Sequence, residues 1–233
     1  MQKIEAFSLL ELVIVMVVIG ILLSITAINF KNDDLIRAAN QVASHIRYTQ
    51  FLALSDDKFL PDYNVTTLTK EEAKEITDWF KARWQMYFTK TVAGKKVLYY
   101  SIFSDSGGYG GNPDGKEIAK NPLNPAKVLS VSHAGISTIN PTDELDLMAK
   151  FGLNDVEFLE GCSHSGSTRI SFDNLGRPFK GNLARIANST QNLITTTCRI
   201  RLTHQNGDCI YINIEPITGL LSISDPQTQC KGS

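Results

Sequence analysis

A glutamate at position 11 sits inside FSLLELVIVMVVIGILLSITA, 21 residues from Phe7 to Ala27 in which only Ser8, Glu11, Ser24 and Thr26 are polar. As a helix this run is long enough to cross a hydrocarbon layer of roughly 30 Å. A carboxylate at the centre of such a layer costs about 2.5–3.5 kcal/mol, and less near the interface. Glu11 therefore either reaches headgroup water at the edge of the span or answers a cation. Other residues also have types that do chemistry. GCSHSG sets Ser163, His164 and Ser165 between glycines, but it is not G-x-S-x-G, and no strand-to-helix elbow surrounds it. No catalytic residue is expected there. Asp105, Asn112, Asp114 and Glu117 offer oxygen ligands in a glycine-rich loop, though their spacing departs from the EF-hand loop. A solvated loop is the plainer reading, with calcium as the alternative and no other cofactor or metal. Asp62-Tyr63-Asn64-Val65-Thr66 carries an N-x-T acceptor at Asn64, a pattern that also arises by chance.

The whole chain narrows these choices. It has 233 residues, net charge −1 and 42 % hydrophobic content, which suits one globular domain behind an apolar leader. Balanced charge gives no global field for nucleic acid, so Lys95-Lys96, Arg199 and Arg201 read as surface residues of strands. The apolar stretch exceeds that of a secretory signal, and Ala27-Ile28-Asn29-Phe30 lacks a small-x-small cleavage site. The break that looks like processing precedes the run, at Ala6-Phe7. Lysines close to the span balance, Lys3 before it and Lys31 after, so orientation is weakly encoded. The short amino-terminal side favours that end staying cytoplasmic, with the rest exported. Four cysteines, Cys162, Cys198, Cys209 and Cys230, suit an oxidising destination. They form no C-x-x-C, and the histidines are scattered, which argues against zinc.

The elements that must position these residues follow from periodicity. Beyond Phe30, Leu35, Ala39, Val42, Ile46 and Leu52/Ala53 recur at mostly three- and four-residue steps, with polar side chains between them. One helix from about Phe7 to Ser55 is predicted, with a kink and recap at Asn32-Asp33-Asp34 as the alternative. Strands and loops should follow: a hairpin about Ala93-Gly94, a loop over SDSGGYGGNPDGKE and a short strand in VLSVSHAGIST. TDELDLMAKFG reads as a short helix capped near Asn140 or Thr142 and ending before Gly152. FDNLGRP is a tight turn with Gly176 at positive φ, Pro178 stiffening its exit and Arg177 holding a carboxylate or backbone carbonyls. Asn206-Gly207 predicts a two-residue hairpin turn in which His204 faces Cys209 and Cys198 faces Glu215. Cys198 and Cys209 then do not pair across that hairpin. Two connectivities remain, Cys162–Cys198 with Cys209–Cys230, which would tie down the carboxy-terminal tail, or Cys162–Cys209 with Cys198–Cys230.

FSLLELVIVMVVIGILLSITA resembles the amino-terminal segment of type IV pilins and of the pseudopilins of type II secretion. The resemblance implies that a prepilin peptidase cuts between Ala6 and Phe7 and methylates Phe7, and that Glu11 neutralises the new amino terminus of a neighbouring subunit during assembly. Ala6 stands where the family usually has glycine, and the leader MQKIEA is less basic than usual. ISFDNLGRP and IYINIEPITGLLSI resemble the carboxy-terminal region of minor pseudopilins of the GspH/FimT type. The implied fold is α+β and pilin-like, with a long amino-terminal helix packed on an antiparallel β domain. The implied divisions are a leader (1–6), a membrane-spanning half-helix (7–30), an amphipathic half-helix (31–57) and an exported domain (58–233). The implied function is that of a non-enzymatic minor filament subunit. Its partners would be other pilin-like subunits, the prepilin peptidase and an inner-membrane assembly platform. A DNA-uptake subunit and a signal-anchored periplasmic protein are the alternatives.

Overall fold

The computed structural model describes residues 9–59, 69–106, 108–132 and 138–230. Its first element, α1 (Leu9–Ser55), is a single 47-residue helix, about 70 Å long at 1.5 Å per residue. It passes through Asp33 and Asp34 without a break. Beyond that point one face is buried, formed by Leu35, Ala38, Ala39, Val42, Ala43, Ile46 and Ala53. Small side chains dominate that face, which lets the helix axis approach the sheets closely.

Two four-stranded antiparallel sheets receive it. The first contains β1 (Trp84–Val92), β2 (Lys95–Ser104), β6 (Arg169–Phe172) and β7 (Pro178–Lys180), in the order β2-β1-β6-β7. The second contains β5 (Leu153–Glu160), β8 (Cys198–His204), β9 (Cys209–Ile214) and β10 (Leu221–Ile223), in the order β10-β9-β8-β5. A small hairpin, β3 (Lys120–Asn121) with β4 (Asn124–Val128), lies apart from both. The arrangement is α+β, a long amino-terminal helix followed by antiparallel sheets. Met86, Phe88, Tyr100, Ile102, Ile170 and Phe172 of the first sheet join Ile200, Leu202, Ile212 and Ile214 of the second in one core with α1. Alternation sends Gln85, Ser101, Arg169 and Ser171 to the opposite face of the first sheet, which is buried too, beneath loops and two smaller apolar clusters.

Local chemistry explains the turns. Ala93 and Gly94 join β1 to β2 with φ of 48° and 76°, the doubly positive pair that matches the twist of a two-residue hairpin. Asp173 closes the turn between β6 and β7. Its carboxylate accepts from the backbone N–H of Leu175 (3.1 Å) and Arg177 (2.9 Å), and from Arg177 Nε (2.8 Å) and Nη2 (2.7 Å). Gly176 takes φ 75° there, and Pro178 begins β7.

Four expectations need correction. The turn between β8 and β9 has three residues, not two: Gly207 N–H donates to His204 O (3.0 Å) and His204 N–H to Asp208 O (2.8 Å). Gly207, at φ 91°, carries the bulge of this turn. Cys198 consequently faces Ile214 rather than Glu215, and Thr203 faces Cys209 in place of His204. Side-chain parity is the reason. The observed register sets Cys198, Ile200 and Leu202 opposite Ile214, Ile212 and Ile210, whereas a one-residue slip would set them against Glu215, Asn213 and Tyr211. Second, a helix occurs where only strands and loops were expected, α2 (Lys70–Asp78). Thr69 opens it with a capping box, donating its N–H to Glu72 Oε2 (2.8 Å) and accepting the Glu72 N–H at Oγ1 (3.3 Å). Third, TDELDLMAKFG does not form one helix capped at Thr142 or Asn140. It divides into a 3-10 turn, Asp143–Leu145, and α3 (Leu147–Phe151), because Asp146 caps the second piece by accepting from Ala149 N–H (3.0 Å). Gly152 ends α3 at φ 63°. Fourth, of the described residues of VLSVSHAGIST only Val128 lies in a strand. Leu129 reaches its neighbours instead, accepting from Ile102 N–H (3.0 Å) and donating to Ala119 O (2.8 Å).

The sulfurs of Cys162 and Cys198 are bonded, as are those of Cys209 and Cys230. The first bond ties the end of β5 to the start of β8, and the second ties the carboxy-terminal tail to β9.

Candidate functional site

The helix α1 divides into two halves of opposite character. From Leu9 to Leu22 its large apolar side chains are 46–82 % exposed, and among the described residues no other element covers them. From Leu35 onward the helix is the spine of the domain. A wholly apolar helix surface normally lies in a core or a membrane, so the uncovered half is the candidate site. Glu11 is the acidic residue of its first turn, where a carboxylate complements the positive end of the helix dipole by about 0.3–1 kcal/mol. Ala6 and Phe7 lie outside the described residues, as does Asn64. If the chain is cut before Phe7, the new α-amino group stands four residues before Glu11 in the sequence.

The buried half and the residues just past it are fastened by polar contacts. Gln50 reaches two turns at once: its Nε2 donates to Gly176 O (2.8 Å) and to Thr218 O (2.9 Å). Both acceptors are carbonyls, which fixes the facing side-chain atom as the amide nitrogen. The glycines there permit the approach, since a Cβ on Gly219 would lie 2.5 Å from Gln50 Nε2. The turns FDNLGRP and EPITG are thus docked against α1, and Gly176, Arg177 and Pro178 act inside the domain. Asp56, just past the helix, accepts from Trp84 Nε1 (2.9 Å), and Asp57 from Asn174 Nδ2 (3.0 Å). Deeper in, the buried Tyr100 hydroxyl meets His45 Nδ1 (2.6 Å) and accepts from Gln41 Nε2 (3.0 Å). Burial lowers the His45 pKa from 6.5 to about 4 and raises that of Tyr100. A neutral imidazole accepting the tyrosine proton fits this arrangement. Gln50 is one of the polar residues between the apolar positions of the stripe, and His45 and Tyr100 have no local signal as partners, because 55 residues separate them.

The remaining candidates do not converge. The Asp105 carboxylate accepts from Gly110 N–H (3.1 Å) and Gly111 N–H (2.5 Å), and that of Glu117 from Asp114 N–H (3.1 Å), so both staple the loop. Asn112 accepts from Arg169 Nη2 (3.3 Å). Among the described residues no three His, Cys, Asp or Glu side chains gather to hold a metal. His164 packs against Gly181, where a Cβ would lie 2.6 Å from its ring.

The helix therefore presents an exposed apolar face with an acid in its first turn, and residues 1–27 decide how that arrangement is read. The chain carries a prokaryotic N-terminal methylation motif. The match covers residues 1–27 and supports a type IV pilin-like family, one whose members are processed by prepilin peptidase. Such a motif implies a membrane-anchored amino terminus with an exposed carboxy-terminal domain. Among the described residues no helix is long and apolar enough to cross a membrane, and the sequence's apolar run, Phe7 to Ala27, begins before them. No curated protein and no solved structure matches the chain.

Proposed function

We propose that this chain is a non-enzymatic minor subunit of a type IV pilus or a type II secretion pseudopilus, of the GspH/FimT type. The observation that carries the reading is the methylation motif at residues 1–27, continued by a helix whose apolar half is uncovered and whose other half is the spine of a β domain. In this reading residues 1–6 are a leader that prepilin peptidase removes, and Phe7 becomes the methylated amino terminus. The half-helix to residue 30 spans the inner membrane before assembly and enters a helical bundle afterwards. Residues 31–57 hold it to the exported domain, 58–233. Glu11 supplies the charge that sets register between subunits. In the low dielectric of such a bundle, an opposite charge within about 4–6 Å strongly favours both ionised forms, so a subunit offering the carboxylate to a neighbour's Phe7 amino group docks at one depth. The partners are other pilin-like subunits, the peptidase and an inner-membrane assembly platform. Two disulfides suit a domain working in an oxidising compartment.

The intact mass and amino-terminal sequence of membrane-extracted protein test this. A chain starting at N-methylated Phe7 is expected, together with a Glu11→Ala variant that remains in the membrane but fails to enter filaments. A chain that retains Met1, with assembly indifferent to Glu11→Ala, would leave a signal-anchored periplasmic protein.

A further inference from the structure

The face of the first sheet turned away from α1 carries a feature that assembly through the helix does not use. A cavity of about 580 Å³ opens there between the β5–β6 connection, the loop at Gly110–Asn112 and the segment Asn182–Arg185. Its wall is polar: Asn112, Asn182, Ser165, Ser167 and Thr168 line it with amides and hydroxyls, and Arg169 and Arg185 supply its charges. Among the described residues no carboxylate lines it. Arg169 is 5 % exposed and rigidly held, its guanidinium 3.8 Å from the centre of the Tyr87 ring and its Nη2 on Asn112 Oδ1 (3.3 Å). Asp105, behind the Gly111 peptide, offsets its charge. Arg185 is exposed, and none of the ion pairs among the described residues includes it. Its positive charge adds to that of Arg169, so the cavity keeps an unmet cation. Tyr87 and Asn112 form a shared wall with a second cavity of about 540 Å³, which is lined by Thr89, Thr91, Ser101 and Ser130. Both volumes fall in the range of small-ligand sites, roughly 300–1,000 Å³.

We infer that this trough binds an acidic oligosaccharide, with Arg185 on the carboxylate and the amide and hydroxyl walls on the sugar hydroxyls. Arginine suits the first task, because its planar fork matches a carboxylate in two parallel hydrogen bonds. Side-chain amides and hydroxyls suit the second, because each both donates and accepts, as a sugar hydroxyl does. The polar cavity adjoins one of mixed lining, in which Val92, Ala93, Pro113 and Ile118 stand among the hydroxyls, and together they have room for more than one sugar unit. A duplex nucleic acid would need an exposed basic stripe, and the chain's net charge of −1 does not supply one.

The test is a calorimetric titration of the full chain in detergent micelles, with trigalacturonate and with its fully methyl-esterified form as probes. Trigalacturonate is expected to bind saturably and at least tenfold more tightly than the ester. Arg185→Ala should weaken it at least tenfold with the thermal midpoint unchanged, and Arg185→Lys should recover part of the loss. Absence of saturable binding, equal affinity for the ester, or an unaffected Arg185→Ala would overturn the proposal. Inorganic phosphate binding as tightly as trigalacturonate would also overturn it, leaving a bare oxyanion site. Filament assembly is not involved in this readout, so its outcome is independent of the role of Glu11.

Discussion

Replacing Gln50 by alanine removes one nitrogen that serves two carbonyls, and the loss can be worked out from the contacts. The bonds to Gly176 O and Thr218 O measure 2.8 and 2.9 Å, and Gln50 itself is half-buried. A typical intramolecular hydrogen bond contributes about 0.5–1.5 kcal/mol net, and a buried partner left unsatisfied costs about 1–3 kcal/mol. Water can reach the Thr218 side, where the contact is exposed, so the second carbonyl recovers part of its loss. The sum is about 2 kcal/mol. In a chain of this size that lowers the thermal midpoint by about 4–8 °C. Thermal unfolding of the full chain in detergent, followed by circular dichroism at pH 7.5, reads it directly. Gln50→Glu provides the control. Nearly the same in shape, it turns a carboxylate oxygen toward the two carbonyls in place of an N–H, so it should cost more than alanine does. A glutamate variant as stable as the wild type, or an alanine variant within about 0.5 kcal/mol of it, would refute the docking role assigned to Gln50.

Three further predictions rest on the same geometry. His45 has a folded pKa lowered from 6.5 to about 4 by burial, so its contribution to stability is complete above pH 6.5 and is lost as pH falls from there toward 4. About 2–3 kcal/mol should disappear across that window, and a Gln in place of His45 should flatten the stability–pH curve there in chemical denaturation. Asp173→Ala removes the 1 %-exposed carboxylate on which Arg177 and two backbone N–H groups converge. A loss of about 3–5 kcal/mol is expected by denaturant titration, with a cost under 1 kcal/mol counting against the turn as a rigid unit. Closing chain segments of 36 and 21 residues by disulfides should contribute about 4 and about 3 kcal/mol in the chain-entropy account. Paired serine variants at Cys162/Cys198 and Cys209/Cys230 measure the two separately, and a larger effect of the second pair would contradict the loop-length argument.

Much of this molecule is set by residues that are neighbours in sequence. An unbroken Val/Ile/Leu run fixes one half of α1 and an i, i+3, i+4 stripe the other, since helical geometry carries both patterns without outside help. Gly176 and Gly94 mark their turns because few residue types other than glycine suit the positive φ needed there. Even α2 was announced by its capping box, although its polar composition hid it. The candidate site was legible for the same reason: the methylation motif is continuous and includes Glu11. Tertiary structure alone decided the rest. Whether β8 met β9 across two or three turn residues depended on which register buried Ile200 and Leu202 against α1, a question of faces that the turn residues do not answer. The insertion of β6 between β1 and β7, the reach of Gln50 to carbonyls 126 and 168 residues away, and the meeting of Tyr87, Arg169 and Arg185 beside one cavity have no local signature. Such contacts exist only once two sheets have closed on the helix, because burial away from water determines which distant polar groups must find each other.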